Sequence, residues 1–152
     1  MKTNQERTLQ DGISALVWAA GTNSRDHGFH EDWPDGDDFH NQADYRRQES
    51  LAITEKLALI HEEVSEALGE IRSGHEATEV YYTSRIGAPY PEQIHNEDGK
   101  PLRKPEGFGI ELADAMIRIA DLAYLTGIDL GAHIIEKAQY NATREHKHGR
   151  KF

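Results

Sequence analysis

Four carboxylates carry the most specific chemical signal in this sequence: Glu63 and Glu66 within Leu57–Leu68, and Glu111 and Asp114 within Gly109–Met116. Residues three apart on a helix are surface neighbours, so each pair sets two carboxylates on one helical face. Two such faces brought together make a site for a hard divalent cation such as Mg2+, which prefers oxygen ligands. Without a cation, four like charges repel one another at a cost. Acidic pairs at this spacing also decorate solvated helix faces, so the elements that carry them must decide between the two readings.

Those elements read as helices. Ser50 to Arg72 has Ile53, Leu57, Ile60, Val64, Ala67 and Ile71 at steps of three and four, a seam for packing against other helices. At about 100° per residue Glu63 falls on the flank of that seam, with Glu66 one step further round. Ser73-Gly74 ends this helix. Gly109 to Thr126 forms another, with Ile110, Ala113, Ile117, Ala120 and Tyr124 as its apolar stripe and Glu111, Asp114, Arg118 and Asp121 as an adjoining charged row. Gly127 terminates it, and Asp129 caps a helix from Leu130 to about Glu145 with Ile134, Ile135, Ala138 and Ala142 inward. At the other end, Asp11 or Ser14 caps a helix through Ile13, Leu16, Val17 and Ala20, with a break at Gly21 and a resumption through Arg25.

Between the second and third helices, residues 73–107 lose periodicity and read as a long, partly ordered connection or flap. Val80–Thr83 suits a short strand, and Asn96–Pro101 suits the tip of a hairpin. Gly28–Asp38 is turn chemistry, and Pro34 interrupts its likeness to a calcium loop. The expected fold is a single all-α domain over residues 1–152, a four-helix-bundle type with one long connection.

Composition narrows the class. The net charge of -10 disfavours nucleic acid and membrane surfaces as partners, and the chain has no cysteine for thiolate sites or disulfides. No apolar run reaches the roughly 20 residues of a membrane span. The first residues lack the apolar core of a signal peptide, so a cytoplasmic location is expected. The charge is uneven: Lys137, Arg144, Lys147, Arg150 and Lys151 crowd the end, with 145–152 a basic tail that suits an anionic ligand. Trp18, Phe29 and Trp33 suit core or lid positions, or a stack on a nucleobase. A His-Asp doublet, a phosphate-binding Gly-x-x-x-x-Gly-Lys loop and a Nudix box are all missing from the sequence.

Taken together, Glu-x-x-Glu on one helix, Glu-x-x-Asp on the next and Lys137-x-x-x-Asn141 on the last resemble the MazG-like all-α nucleoside triphosphate pyrophosphohydrolases. Glu55–Ile60, Lys104-Pro-Glu-Gly107, Tyr140–Arg144 followed by His148-Gly149, and Gly28-Phe29 are similar to a bacterial and phage branch of that family. His30 stands where an aromatic is common there.

The resemblance implies a Mg2+ enzyme, with Mn2+ as a substitute, that cleaves a nucleoside triphosphate to monophosphate and pyrophosphate through metal-activated water. It makes Glu63, Glu66, Glu111 and Asp114 metal ligands. Glu62 becomes an alternative ligand or a group behind one, and Glu62, Glu63 and Glu66 are the carboxylates that could orient or deprotonate water. Lys137, Asn141 and Arg144 become phosphate or sugar contacts, with Phe29 and Trp18 near the base. It also implies a homodimer or homotetramer. Two other readings stand beside it: a non-catalytic helical module that binds nucleotide or metal, and, more remotely, a di-iron carboxylate bundle drawing on Glu92-x-x-His95 or Glu145-x-x-His148.

Overall fold

The computed structural model describes residues 3–83 and 103–144. Among them are four α-helices and one two-stranded sheet: α1 (Asn4–Asp26), α2 (Gln42–Arg72), β1 (Tyr81–Thr83), β2 (Lys104–Glu106), α3 (Phe108–Thr126) and α4 (Leu130–Ala142). The mostly helical architecture agrees with the all-α expectation. No described helix is long and apolar enough to cross a membrane. The chain forms two compact units, one of Met1–Thr54 with Ile117–Phe152 and one of Glu55–Met116.

In the first unit, α1 starts well before the expected cap at Asp11 or Ser14. Thr3 and Glu6 form a capping box: the Glu6 amide donates to Thr3 Oγ1 at 3.2 Å and the Thr3 amide to Glu6 Oε2 at 2.7 Å. These polar residues lie outside any apolar stripe, so periodicity alone does not reveal the turn they build. Nor does Gly21 break the helix. It is buried, and a Cβ there would overlap the Tyr124 ring, so glycine at this position permits close approach rather than a stop.

Opposite α1, α4 is capped by Asp129 as expected. Asp129 accepts from the Ala132 amide at 2.9 Å and from Gln10 Nε2 at 2.8 Å, while Gln139 Nε2 donates to Glu6 Oε1 at 2.6 Å. Of the four α4 residues expected to face inward, Ile135 is buried, whereas Ile134, Ala138 and Ala142 are exposed. The helix ends at Ala142, and the basic tail 145–152 lies outside the described residues.

α2 also begins earlier than expected. Asn41 Oδ1 accepts from the amides of Ala43 and Asp44, both at 3.0 Å, and so nucleates a polar first turn ahead of Ser50. Its end is as read: Gly74, at φ +91°, takes the left-handed turn after Arg72 that a side chain would strain.

In the second unit, β1 pairs antiparallel with β2, Tyr81 opposite Glu106 and Thr83 opposite Lys104. The expected hairpin tip at Asn96–Pro101 lies outside the described residues. Tyr81 is braced from below: its hydroxyl donates to the Glu70 carboxylate at 3.1 Å and His75 stacks on its ring at 4.7 Å. Gly107, at φ +125°, then turns the chain from β2 into α3 against the Glu79 carbonyl, which a Cβ would meet at 2.5 Å.

The apolar stripes are where expectation and structure part most. On α2, Ala67 is buried, but Leu57, Val64 and Ile71 of the expected seam are exposed. On α3, Ala113 and Ile117 of the expected stripe are exposed, while Glu111 and Asp121 from the charged row are buried. The inward face of α3 is therefore made of small residues and carboxylates, and bulky apolar side chains are left on the outside. Alanines at 115, 120 and 123 make that possible, since they let backbone and acid approach closely without a bulky neighbour.

Candidate metal centre

Within the second unit, α2 supplies Glu63 and the first turns of α3 supply Glu111 and Asp114. One carboxylate oxygen from each lies within 4.8 Å of the other two. Glu63 is 5% exposed and Glu111 3%, which is unusual for side chains that are almost never fully buried unless paired. This is the only group of three or more metal-competent side chains among the described residues. No histidine joins it, and both Glu-x-x-His motifs that a di-iron reading would use contain residues outside the described set.

Glu66, one turn on from Glu63 and exposed, belongs to the same constellation through a hydrogen bond with Glu111. Burial pushes the Glu111 carboxyl up to about 7, aided by that hydrogen bond and by the charges of Glu66 and Asp114, against the opposing pull of Lys104. Two carboxylates in contact cannot both ionise cheaply, which is why the neighbour raises Glu111. Three of the four carboxylates singled out in the sequence, Glu63, Glu111 and Asp114, converge, and the fourth, Glu66, meets Glu111 without joining the triad. Glu62 is next to Glu63 on α2 but exposed and outside the triad.

The all-oxygen donor set suits a hard divalent cation. Octahedral oxygen ligands at about 2.1 Å sit roughly 3 to 4 Å from one another, so oxygens already within 4.8 Å need only small rotamer changes to close. Charge points the same way: neighbouring carboxylates and burial disfavour ionised Glu111, and a bound cation would offset both costs.

Lys104 was visible in the sequence only as part of a motif. In the structure its Nζ lies 2.9 Å from Glu106 Oε2, and Thr83 Oγ1 donates to Glu106 Oε1, also at 2.9 Å. The Glu106 carboxylate, together with the charges of Glu111 and Glu66, holds the Lys104 ammonium above its ordinary value. A lysine two residues before a glutamate on a short strand is the signal that could have marked it, because alternate strand residues share a face.

The remaining candidates lie in the first unit. On α4, Lys137 Nζ is 5.0 Å and the Arg144 guanidinium 5.9 Å from the centre of the exposed Tyr140 ring, so both cations lie against one aromatic side chain. Asn141 is exposed beside them. Trp18 meets Tyr124 edge-on at 5.9 Å and stays exposed, and Phe29 is exposed in the turn after Gly28. His30, unremarked as a site residue in the sequence, places Nε2 2.6 Å from Asp121 Oδ1 and stacks on Tyr124. No protein-family model, curated protein or solved structure matches the chain.

Proposed function

We propose that this chain is a Mg2+-dependent nucleoside triphosphate pyrophosphohydrolase that acts in the cytoplasm. The observation that carries the reading is the convergence of Glu63, Glu111 and Asp114, two of them buried, from two helices. The order of motifs that resembles the MazG-like enzymes supports it, adding Lys137-x-x-x-Asn141 and Lys104-Pro-Glu-Gly107 to the same carboxylates.

Glu63, Glu111 and Asp114 would hold the cation, and Glu66, bonded to Glu111, fixes the orientation of that ligand. When bound, Mg2+ neutralises phosphate charge and lowers the pKa of coordinated water, the two needs of phosphoryl chemistry without a protein nucleophile. Water attacks the α-phosphorus, the bond to the bridging oxygen of the β-phosphate breaks, and monophosphate and pyrophosphate leave. Glu66, the exposed member of the four, takes the proton from the attacking water. The resemblance to the MazG-like enzymes, and not a contact with the carboxylate centre, is what gives Lys137 and Arg144 as phosphate contacts, Asn141 as an amide for sugar or phosphate, and Phe29 and Trp18 as aromatic faces for a base.

The purified protein with Mg2+ is expected to convert at least one ribo- or deoxyribonucleoside triphosphate to monophosphate and pyrophosphate, resolved by ion-exchange chromatography. Diphosphate with orthophosphate as the products, or no turnover across the panel, would reject the reaction; the second result together with tight nucleotide binding would favour a binding module.

The same reading includes a homodimer or homotetramer. Leu57, Val64, Leu68 and Ile71 recur along α2 at steps of seven, four and three and remain exposed, Val64 at 51% and Leu68 at 56%. That spacing is a helix-packing seam, and a continuous apolar seam left in water is costly. Light scattering should therefore give the mass of two or four chains, with a shift to one chain when Val64 and Leu68 are both changed to Glu. A native monomer at micromolar concentration would exclude this assembly.

A further inference from the structure

We infer that Lys104 is a phosphate-binding residue of the carboxylate centre, held ready by Glu106 and the β1–β2 pair. This rests on the metal-dependent reading above.

Lys104 ends up beside the centre through the way β2 feeds α3. The pairing of Thr83 with Lys104 sets the register of the two strands, and Thr83 Oγ1 and Lys104 Nζ grip opposite oxygens of Glu106. Gly107 then turns the chain directly into the helix that carries Glu111. The Glu106 side chain is 16% exposed and Lys104 48%, so the anchor is covered while the ammonium faces solvent.

An ammonium has three donors, and the Glu106 bond uses one. A lone ion pair of this kind on the surface contributes little to stability, so what matters is where it holds the ammonium. The charge of Lys104 reaches Glu111 and Glu66. It therefore partly balances the centre when no cation is bound. Once a cation neutralises the carboxylates, the same ammonium faces less negative charge from the protein and is available to an anionic ligand. A triphosphate or pyrophosphate brings that charge, and Lys is a suitable point-charge partner for it.

Two opposite effects follow from Lys104→Gln. Mn2+ alone, titrated by electron paramagnetic resonance without nucleotide, should bind several-fold tighter, because a positive charge beside the ligands is gone. Inorganic pyrophosphate, titrated calorimetrically with Mg2+ present, should bind roughly ten- to a hundredfold more weakly, the loss of one charge-assisted hydrogen bond. Lys104→Arg should keep pyrophosphate affinity close to native, which also guards against a glutamine variant that folds poorly.

A lysine that only balances the carboxylates would change Mn2+ affinity on substitution and leave pyrophosphate affinity as in the native protein. If the native protein binds Mn2+ and cleaves nucleotide but Lys104→Gln binds pyrophosphate as tightly as native, the role of Lys104 is overturned while the reaction stands. If the native protein binds no Mn2+, both fall.

Discussion

Changing Glu111 to Gln is expected to cost about a thousandfold in turnover, the rate equivalent of the several kcal/mol that a bound cation supplies, and at the same time to make the metal-free protein more stable. The two effects have one origin. Glu111 is 3% exposed and lies against Glu66 and Asp114, so its ionised form is disfavoured by burial and by like charge. Glutamine keeps the shape, can donate through Nε2 to the Glu66 carboxylate, and removes the charge that must otherwise be buried or protonated. It also removes a cation ligand. Alanine at Glu63 or Asp114 should abolish turnover in the same way without unfolding the chain. The product assay and a thermal melt at pH 8 in chelator test this together. Retention of more than about a tenth of native activity by Glu111→Gln would show that this carboxylate is not a ligand, whereas lower stability would mean that its burial is paired differently from what the geometry implies.

This coupling explains why some parts of the molecule were legible in the sequence and others were not. Glu63, Glu66, Glu111 and Asp114 could be picked out because i, i+3 spacing is a property of the helix itself, independent of what packs against it. The caps at Asp129 and the stop at Gly74 are equally local. The inward face of α3 was misread because periodicity ranks residues by apolarity. It puts Ala113 and Ile117 in the core stripe and Glu111 and Asp121 in a row beside it, whereas Glu111 and Asp121 are buried and Ala113 and Ile117 exposed. The exposed Val64 and Leu68 show the same limit from the other side, since an apolar stripe records that something covers it but not whether the cover is the same chain. Thr3 and Asn41 were missed as helix starts because a polar first turn has no stripe to announce it. His30 against Asp121 joins residues far apart in sequence, and no spacing rule reaches such a pair.

The centre should also write itself into the pH dependence of stability. The Glu111 carboxyl lies near 4.5 in an unfolded chain and about 7 in the folded one. Between those values the folded state binds a proton that the unfolded state does not, so stability falls as pH rises, at up to about 1.4 kcal/mol per pH unit, and levels off above about 7. Melting temperature measured in chelator should accordingly drop from pH 5 to pH 7. Glu6 and Glu79 are shifted the opposite way, Glu6 by its capping bonds and Glu79 by His75, so their stabilising contribution is lost only as pH falls below about 4.5, outside this window. Glu111→Gln is the necessary control: the slope should flatten in that variant if Glu111 is its source. Saturating Mg2+ should reverse the trend in the native protein, because the ligated carboxylate is ionised and protons compete with the cation below about pH 7. A native slope that survives the Gln substitution, or that Mg2+ leaves unchanged, would separate the buried acid from metal binding and with it remove the physical basis for reading this cluster as a cation site.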